Sequence, residues 1–219
     1  MDTMRSVVAL AMGMLALSGV ANAQTPAPAA DRGYAEVNLQ SAFGNVTSQS
    51  FGAEVGVTVM PNLQVFGEVG KVRDVATSGI GSAAQLIAGF LSQTQSNVAF
   101  SVKQPVTFAV GGVKYTIPTT GSIHPYVLGG VGIATVTQDV AFTVGGSDVT
   151  SALASTYGVQ LGTDLSGSFT KPMIVIGGGA MWPAWQRLVV DVQFRFGRIL
   201  AEDGGINVSR AGIGLGVRF

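Results

Sequence analysis

The nine residues LVVDVQFRF, 188–196, place Val190, Val192, Phe194 and Phe196 on one parity and Asp191, Gln193 and Arg195 on the other. Successive side chains of an extended chain point to opposite sides, so this is a strand with one apolar and one polar face. The same alternation fills RAGIGLGVRF, 210–219, where Ala211, Ile213, Leu215, Val217 and Phe219 oppose Arg210, Gly212, Gly214, Gly216 and Arg218. In YAEVNLQSAF, 34–43, Ala35, Val37, Leu39 and Phe43 oppose Glu36, Asn38 and Gln40. In FGAEVGVTV, 51–59, an apolar parity opposes Gly52, Glu54, Gly56 and Thr58. Period two in so many segments points to an all-β chain that needs an apolar environment along one face of each strand.

What that environment is follows from what the chain lacks. Only 11% of its residues are charged, against about 25% in ordinary soluble domains, so the polar surface that would solvate an exterior is missing. Yet the apolar run VVALAMGMLAL at 7–17 falls short of the ~20 residues a membrane helix requires, and no later segment reaches that length. Strands facing hydrocarbon must pair along both edges, because lipid offers no partner to a peptide group. An antiparallel transmembrane β-barrel, with lipid outside and the polar parity inside, meets all of these conditions.

Arg5, the apolar run and ANA at 21–23 have the layout of a secretory signal peptide over residues 1–23. The Pro/Ala-rich stretch 24–33 reads as a linker, and 34–219 as the barrel domain. Without cysteine the chain has neither a disulfide framework nor a lipid-modified N-terminal Cys. Its formal net charge of zero leaves no basic footprint for nucleic acid.

Counting alternating segments gives eight strands. MPN, 60–62, is a Pro/Asn turn into a third strand at 63–73, with Glu68 on the inner parity. Residues 98–117 and 124–144 form a middle hairpin around PTTGSI, and MIVIGGGAMW, 173–182, joins 188–196 through PAWQR. Connections at 60–62, 118–123 and 183–187 are short and two of the others are long, as in an outer-membrane barrel with short periplasmic turns and long external loops. Both middle strands approach 20 residues, where ~9–11 suffice to cross a membrane. The hairpin is therefore expected to project beyond the bilayer, with VAFSV at 98–102 against VAFTV at 140–144 and Phe100 near Phe142. Each long loop carries a helical pattern: Ala83, Leu86, Ile87, Phe90 and Leu91 in one, and Val149, Ala152, Leu153, Thr156 and Tyr157 ahead of Gly158 in the other. These helices are expected to pack on the hairpin or cap the barrel mouth, or else to offer an apolar surface to a partner or lipid.

Closing the barrel brings charge into its interior. Glu36, Glu54 and Glu68 from the first three strands, and Asp191, Arg195, Arg210 and Arg218 from the last two, lie on the inner parity. Buried charges need partners, so Glu36 and Glu54 are expected to meet Arg210 and Arg195. Two roles fit such a cluster: an ion-pair network that fills a narrow lumen, or a gate for small solutes. Eight strands leave little space beyond that taken by side chains, which argues against a wide aqueous pore. The glycine runs LGGVGIA, 128–134, and IGGGA, 176–180, lack the full GxGxxG spacing and lie within strands, so close packing explains them better than a nucleotide loop. His124, the one histidine, cannot build a multi-histidine metal site. No catalytic residue, metal or cofactor is expected.

GGVKYTI followed by HPYVLGGVGIA, the Gly-rich strand before LVVDVQFRFG, and the closing GLGVRF resemble the small outer-membrane β-barrel superfamily that includes opacity-type porins, OmpW-like proteins and the OmpA transmembrane domain. The resemblance implies a bacterial outer-membrane protein whose partners are outer-membrane lipid and, during biogenesis, the barrel-assembly machinery. It further implies that Ile213, Leu215, Val217 and Phe219 form the assembly signal, and no peptidoglycan-binding domain is expected after Phe219. The role expected first is structural or surface interaction, with an external ligand of unknown nature. The alternative is a narrow porin-like channel for small or hydrophobic solutes, and enzymatic activity is not expected.

Overall fold

The computed structural model describes residues 32–162, 165–201 and 204–219; the expected signal peptide, and the linker as far as residue 31, lie outside them. Eight antiparallel strands form the ring: β1 (Gly33–Phe43), β2 (Ser48–Met60), β3 (Leu63–Val72), β5 (Val106–Thr116), β6 (His124–Val144), β8 (Ser166–Trp185), β9 (Leu188–Ile199) and β10 (Ile206–Arg218). Two further strands, β4 (Val98–Lys103) and β7 (Ser147–Asp148), pair with β6 outside the ring. β1 closes on β10 from Tyr34↔Arg218 to Phe43↔Ser209. It opens at Gly33, one residue earlier than expected, because Arg32 and Gly33 donate their N–H groups to the Phe219 carbonyl at 2.8 and 3.0 Å.

The ring is inside out relative to a soluble protein. Val37, Leu39, Val131, Ile176 and Val192 are each at least 60% exposed, a surface that only an apolar medium can cover. Trp182, Trp185, Tyr115 and Phe219 mark the turn end of this band, and Phe43, Phe51 and Phe194 its other end. The outer limit is a polar row running across four neighbouring strands: Lys71 opposite Thr107, Thr107 opposite Thr135, and Thr135 opposite Thr170. The last two hydroxyls lie 2.8 Å apart. Between Thr107 and Tyr115, β5 spends nine residues in the band, in line with the ~9–11 of a tilted membrane strand.

Beyond the polar row the middle hairpin continues outward, as expected. Its register does not slip: Val106↔Val136 in the barrel leads to Lys103↔Asp139 and Phe100↔Phe142 above it. The expected single strand 98–117 is interrupted at Gln104–Pro105. Proline has no N–H to give a ladder, and Gln104 is recruited by the incoming loop. Its N–H donates to Asp74 Oδ1 at 2.9 Å, and its Oε1 and carbonyl accept from Thr77 and Val75 at 2.8 and 3.0 Å. The strand expected at 173–182 runs instead from Ser166 to Trp185, pairing β6 as far as Asp139↔Ser166. Its first residues, SGSFTK, carry no apolar alternation, so only the neighbouring ladder makes them a strand.

The projecting part has a core of its own. Helix α1 (Ser78–Leu91) lies over β4 and buries Ile80, Ala84, Ala88 and Leu91 against Val140, Phe142, Leu153 and Leu165. The packed face is rotated from the expected one, since Leu86 and Phe90 are 77% and 56% exposed. Small side chains at 84 and 88 let the helix approach the sheet, which an apolar count alone does not register. Helix α2 (Leu153–Tyr157), entered through a 3-10 turn, ends at Gly158 with φ 69°, the left-handed cap expected there. Phe142 is fully buried in this core. Phe142→Ala is expected to cost the extension about 3–5 kcal/mol. Limited proteolysis should then cut at 145–165 much faster, while the barrel keeps its heat-modifiable mobility in detergent.

Candidate functional site: the charged lumen

Inside the ring, like charges stand side by side and opposite charges face across. Glu36 pairs in register with Glu54, and Glu54 with Glu68, on the adjacent strands β1, β2 and β3. Arg195 pairs with Arg210 on β9 and β10. Like charges on adjacent strands repel, so the arrangement stands only because the cations reach over the lumen. Arg195 Nη1 lies 2.6 Å from Glu54 Oε2 and 2.7 Å from Glu68 Oε2, and its Nη2 lies 3.8 Å from Glu36 Oε1. Arg210 grips Glu68 with both terminal nitrogens, at 2.8 and 3.3 Å, and donates to Gln40 Oε1 at 3.3 Å.

Half of the expected pairing is therefore found. Arg195 does meet Glu54, with Glu36 at longer range, but Arg210 goes to Glu68 and Gln40. The stagger of the closed sheet is the reason. Arg210 sits opposite Ala42, whereas Glu36, six residues earlier on the same strand, sits opposite Gly216. Asp191 is held by Tyr126, whose hydroxyl donates to Oδ2 at 2.7 Å.

Three members of the network were not among the expected residues. Lys114 Nζ lies 2.6 Å from Glu54 Oε1, which also accepts from the Tyr34 hydroxyl. The same ammonium lies 4.4 and 4.5 Å from the Tyr34 and Tyr126 ring centroids, a buried cation–π sandwich. Lys114 does occupy the inner parity of GGVKYTI, but the preceding glycines blur which face is which. The tyrosines betray themselves through their partners. Tyr34 lies opposite Gly56 and Tyr126 opposite Gly179, and a Cβ at either glycine would collide with the ring or hydroxyl. Glycine inside these strands is the space into which an aromatic ring folds.

Four carboxylates and three cations, all buried, thus fill the middle of the barrel. An apolar layer follows on the outer side: Val72, Val106, Phe108, Val136, Met173 and Ile199 are 3% exposed or less. The Arg210 guanidinium lies 4.3 Å from the Phe108 ring centroid and joins the two layers. Towards the turn end, a vestibule of about 170 Å³ opens, lined among others by Glu36, Gln64, His124 and Arg218. His124 sits at that mouth, opposite Met181. Ile213, Leu215, Val217 and Phe219 lie on the other face of β10, half exposed and turned to lipid.

The chain has the fold of the small outer-membrane β-barrel proteins. It is similar to the crystal structure of Neisserial surface protein A (NspA), with a TM-score of 0.52 at 11% sequence identity over 85% of this chain and 96% of that one. It is similar too to a major outer membrane protein from Thermus thermophilus, with a TM-score of 0.51 at 13% identity over 85% of this chain and 99% of that one. No protein-family model and no curated protein sequence matches the chain.

Glu54 is the hub, with Lys114, Arg195 and Tyr34 all on its two oxygens. Removing one member of a buried ionic cluster strands the others, at a cost of about 3–5 kcal/mol. Glu54→Gln is expected to lower the unfolding free energy of the lipid-reconstituted barrel, read from its urea titration, by that order. Adding Lys114→Met should recover part of the loss, because it removes the ammonium left without its acid.

Proposed function

We propose that the protein works as a sealed anchor, acting through the folded element it carries outside the outer membrane rather than by passing solutes. The observation that carries this reading is the double closure of the lumen. An ionic layer around Glu54 and Arg195 is followed by an apolar layer from Val72 to Ile199. A solute would have to break both in sequence, whereas the extension has its own sheet, helix and core. The barrel then serves to hold that element at the surface, with outer-membrane lipid on the Val37–Ile213 band as its standing partner. Liposomes carrying the protein are expected to swell in sugar solutions no faster than empty ones, and planar bilayers to show no conductance steps. Reproducible steps from the wild-type protein would replace this reading with that of a narrow channel.

The closing strand has a second role in this proposal, as the segment the barrel-assembly machinery engages. Phe219 supports it: its carbonyl accepts from Arg32 and Gly33, its N–H donates to the Gly33 carbonyl, and its ring is left outside with Ile213, Leu215 and Val217. Deleting Phe219 is expected to reduce the folded, outer-membrane fraction in a fractionation experiment while export across the inner membrane continues.

A further inference from the structure

The projecting sheet, in the order β4–β6–β8, leaves the far edge of β4 without a backbone partner among the described residues. An unpaired edge is normally protected by proline, charge or distortion. The outer stretch of β8 has such a device in Gly167, at φ 119°. β4 does not: VAFSVK pairs with β6 without a bulge, is rich in strand-forming residues and is charged only at its last position.

We propose that this edge pairs, antiparallel, with β4 of a second copy of the chain held in a facing membrane. The proposal rests on the surface-element reading above and names its partner. On its inner edge β4 already holds VAFTV of β6, a near copy of VAFSV, antiparallel and with Phe100 opposite Phe142 at 6.4 Å between ring centroids. A second VAFSV fits the other edge by the same geometry, Phe100 opposite its counterpart. Phe100 remains 39% exposed although it shares a face with the buried Phe142, and α1 above β4 leaves Leu86 and Phe90 bare; the pairing gives Phe100 cover.

Charge selects the direction. Antiparallel strands centred on Phe100 put the two Lys103 residues at opposite ends, roughly 20 Å apart at ~3.4 Å per residue. That exceeds the ~8 Å screening length of physiological salt, whereas parallel strands would set the ammonium groups side by side. Orientation then selects the membrane. Copies in one membrane point the same way and offer β4 only in parallel, so the antiparallel pair forms between two membranes that face each other.

The test uses the mature protein in phosphatidylcholine vesicles, with clustering followed by light scattering. Wild-type vesicles are expected to cluster. Ser101 lies exposed on the sheet face away from α1, and in the pair it falls diagonal to its counterpart, within reach of long charged side chains, where like charges repel. Vesicles bearing Ser101→Lys alone, or Ser101→Glu alone, should lose clustering, and mixing the two populations should restore it. Heat-modifiable mobility confirms that both variants are folded. Wild-type vesicles that stay dispersed, single variants that still cluster, or a mixture that stays dispersed would each overturn the self-pairing. None of these outcomes touches the sealed-barrel reading, which the swelling measurement decides separately.

Discussion

A peptide group in hydrocarbon finds no partner except another peptide group, and the architecture follows from that constraint. It forces the strands into a closed ring, joins β1 to β10, and ties Phe219 back to Arg32 and Gly33. Closure in turn splits the side chains into two populations with no middle ground. One parity meets lipid and must be apolar; the other meets its own kind across a narrow lumen and must fill it.

How the lumen is filled explains the unusual placing of charge. Three glutamates on adjacent strands would repel one another in isolation, as would the paired Arg195 and Arg210. Across the barrel the arginines, joined by Lys114, face the glutamates and offset most of their charge, and the tyrosine hydroxyls occupy further carboxylate lone pairs on Glu54 and Asp191. Such a cluster is poor evidence of net stability, because desolvation offsets much of its attraction. It does make the interior specific: every member is held by at least one other strand. The apolar layer above it works differently, through ordinary close packing.

The outer element depends on the barrel yet is not a mere continuation of it. At Gln104–Pro105 the ladder with β3 ends, and β4 continues with β6 alone. Freed from the ring, the sheet becomes two-sided like that of a soluble domain, with α1 on its apolar face and Ala99, Ser101 and Lys103 on the other. The price is an edge, which the membrane-embedded strands do not have.

Much of this was legible in the residues alone. Period two identified the strands, their lipid faces and the inner parity of Glu36, Glu54, Glu68, Asp191, Arg195 and Arg210, because a strand's sidedness is a local property. The excess length of 98–117 and 124–144 announced a projecting hairpin, and the twin VAFSV and VAFTV segments gave its register. What the residues did not contain was height around the ring and rotation about a helix axis. The stagger of the closed sheet gave Arg210 to Glu68 and brought Lys114 to Glu54, and the fit of Ala84 and Ala88 against the sheet turned Leu86 and Phe90 outward. Even the first residues of β8, without alternation of their own, are a strand only because β6 lies beside them. Sequence by itself determined which face each strand turns to lipid; tertiary structure decided which charge meets which, because that depends on the relative offset of strands far apart in the chain.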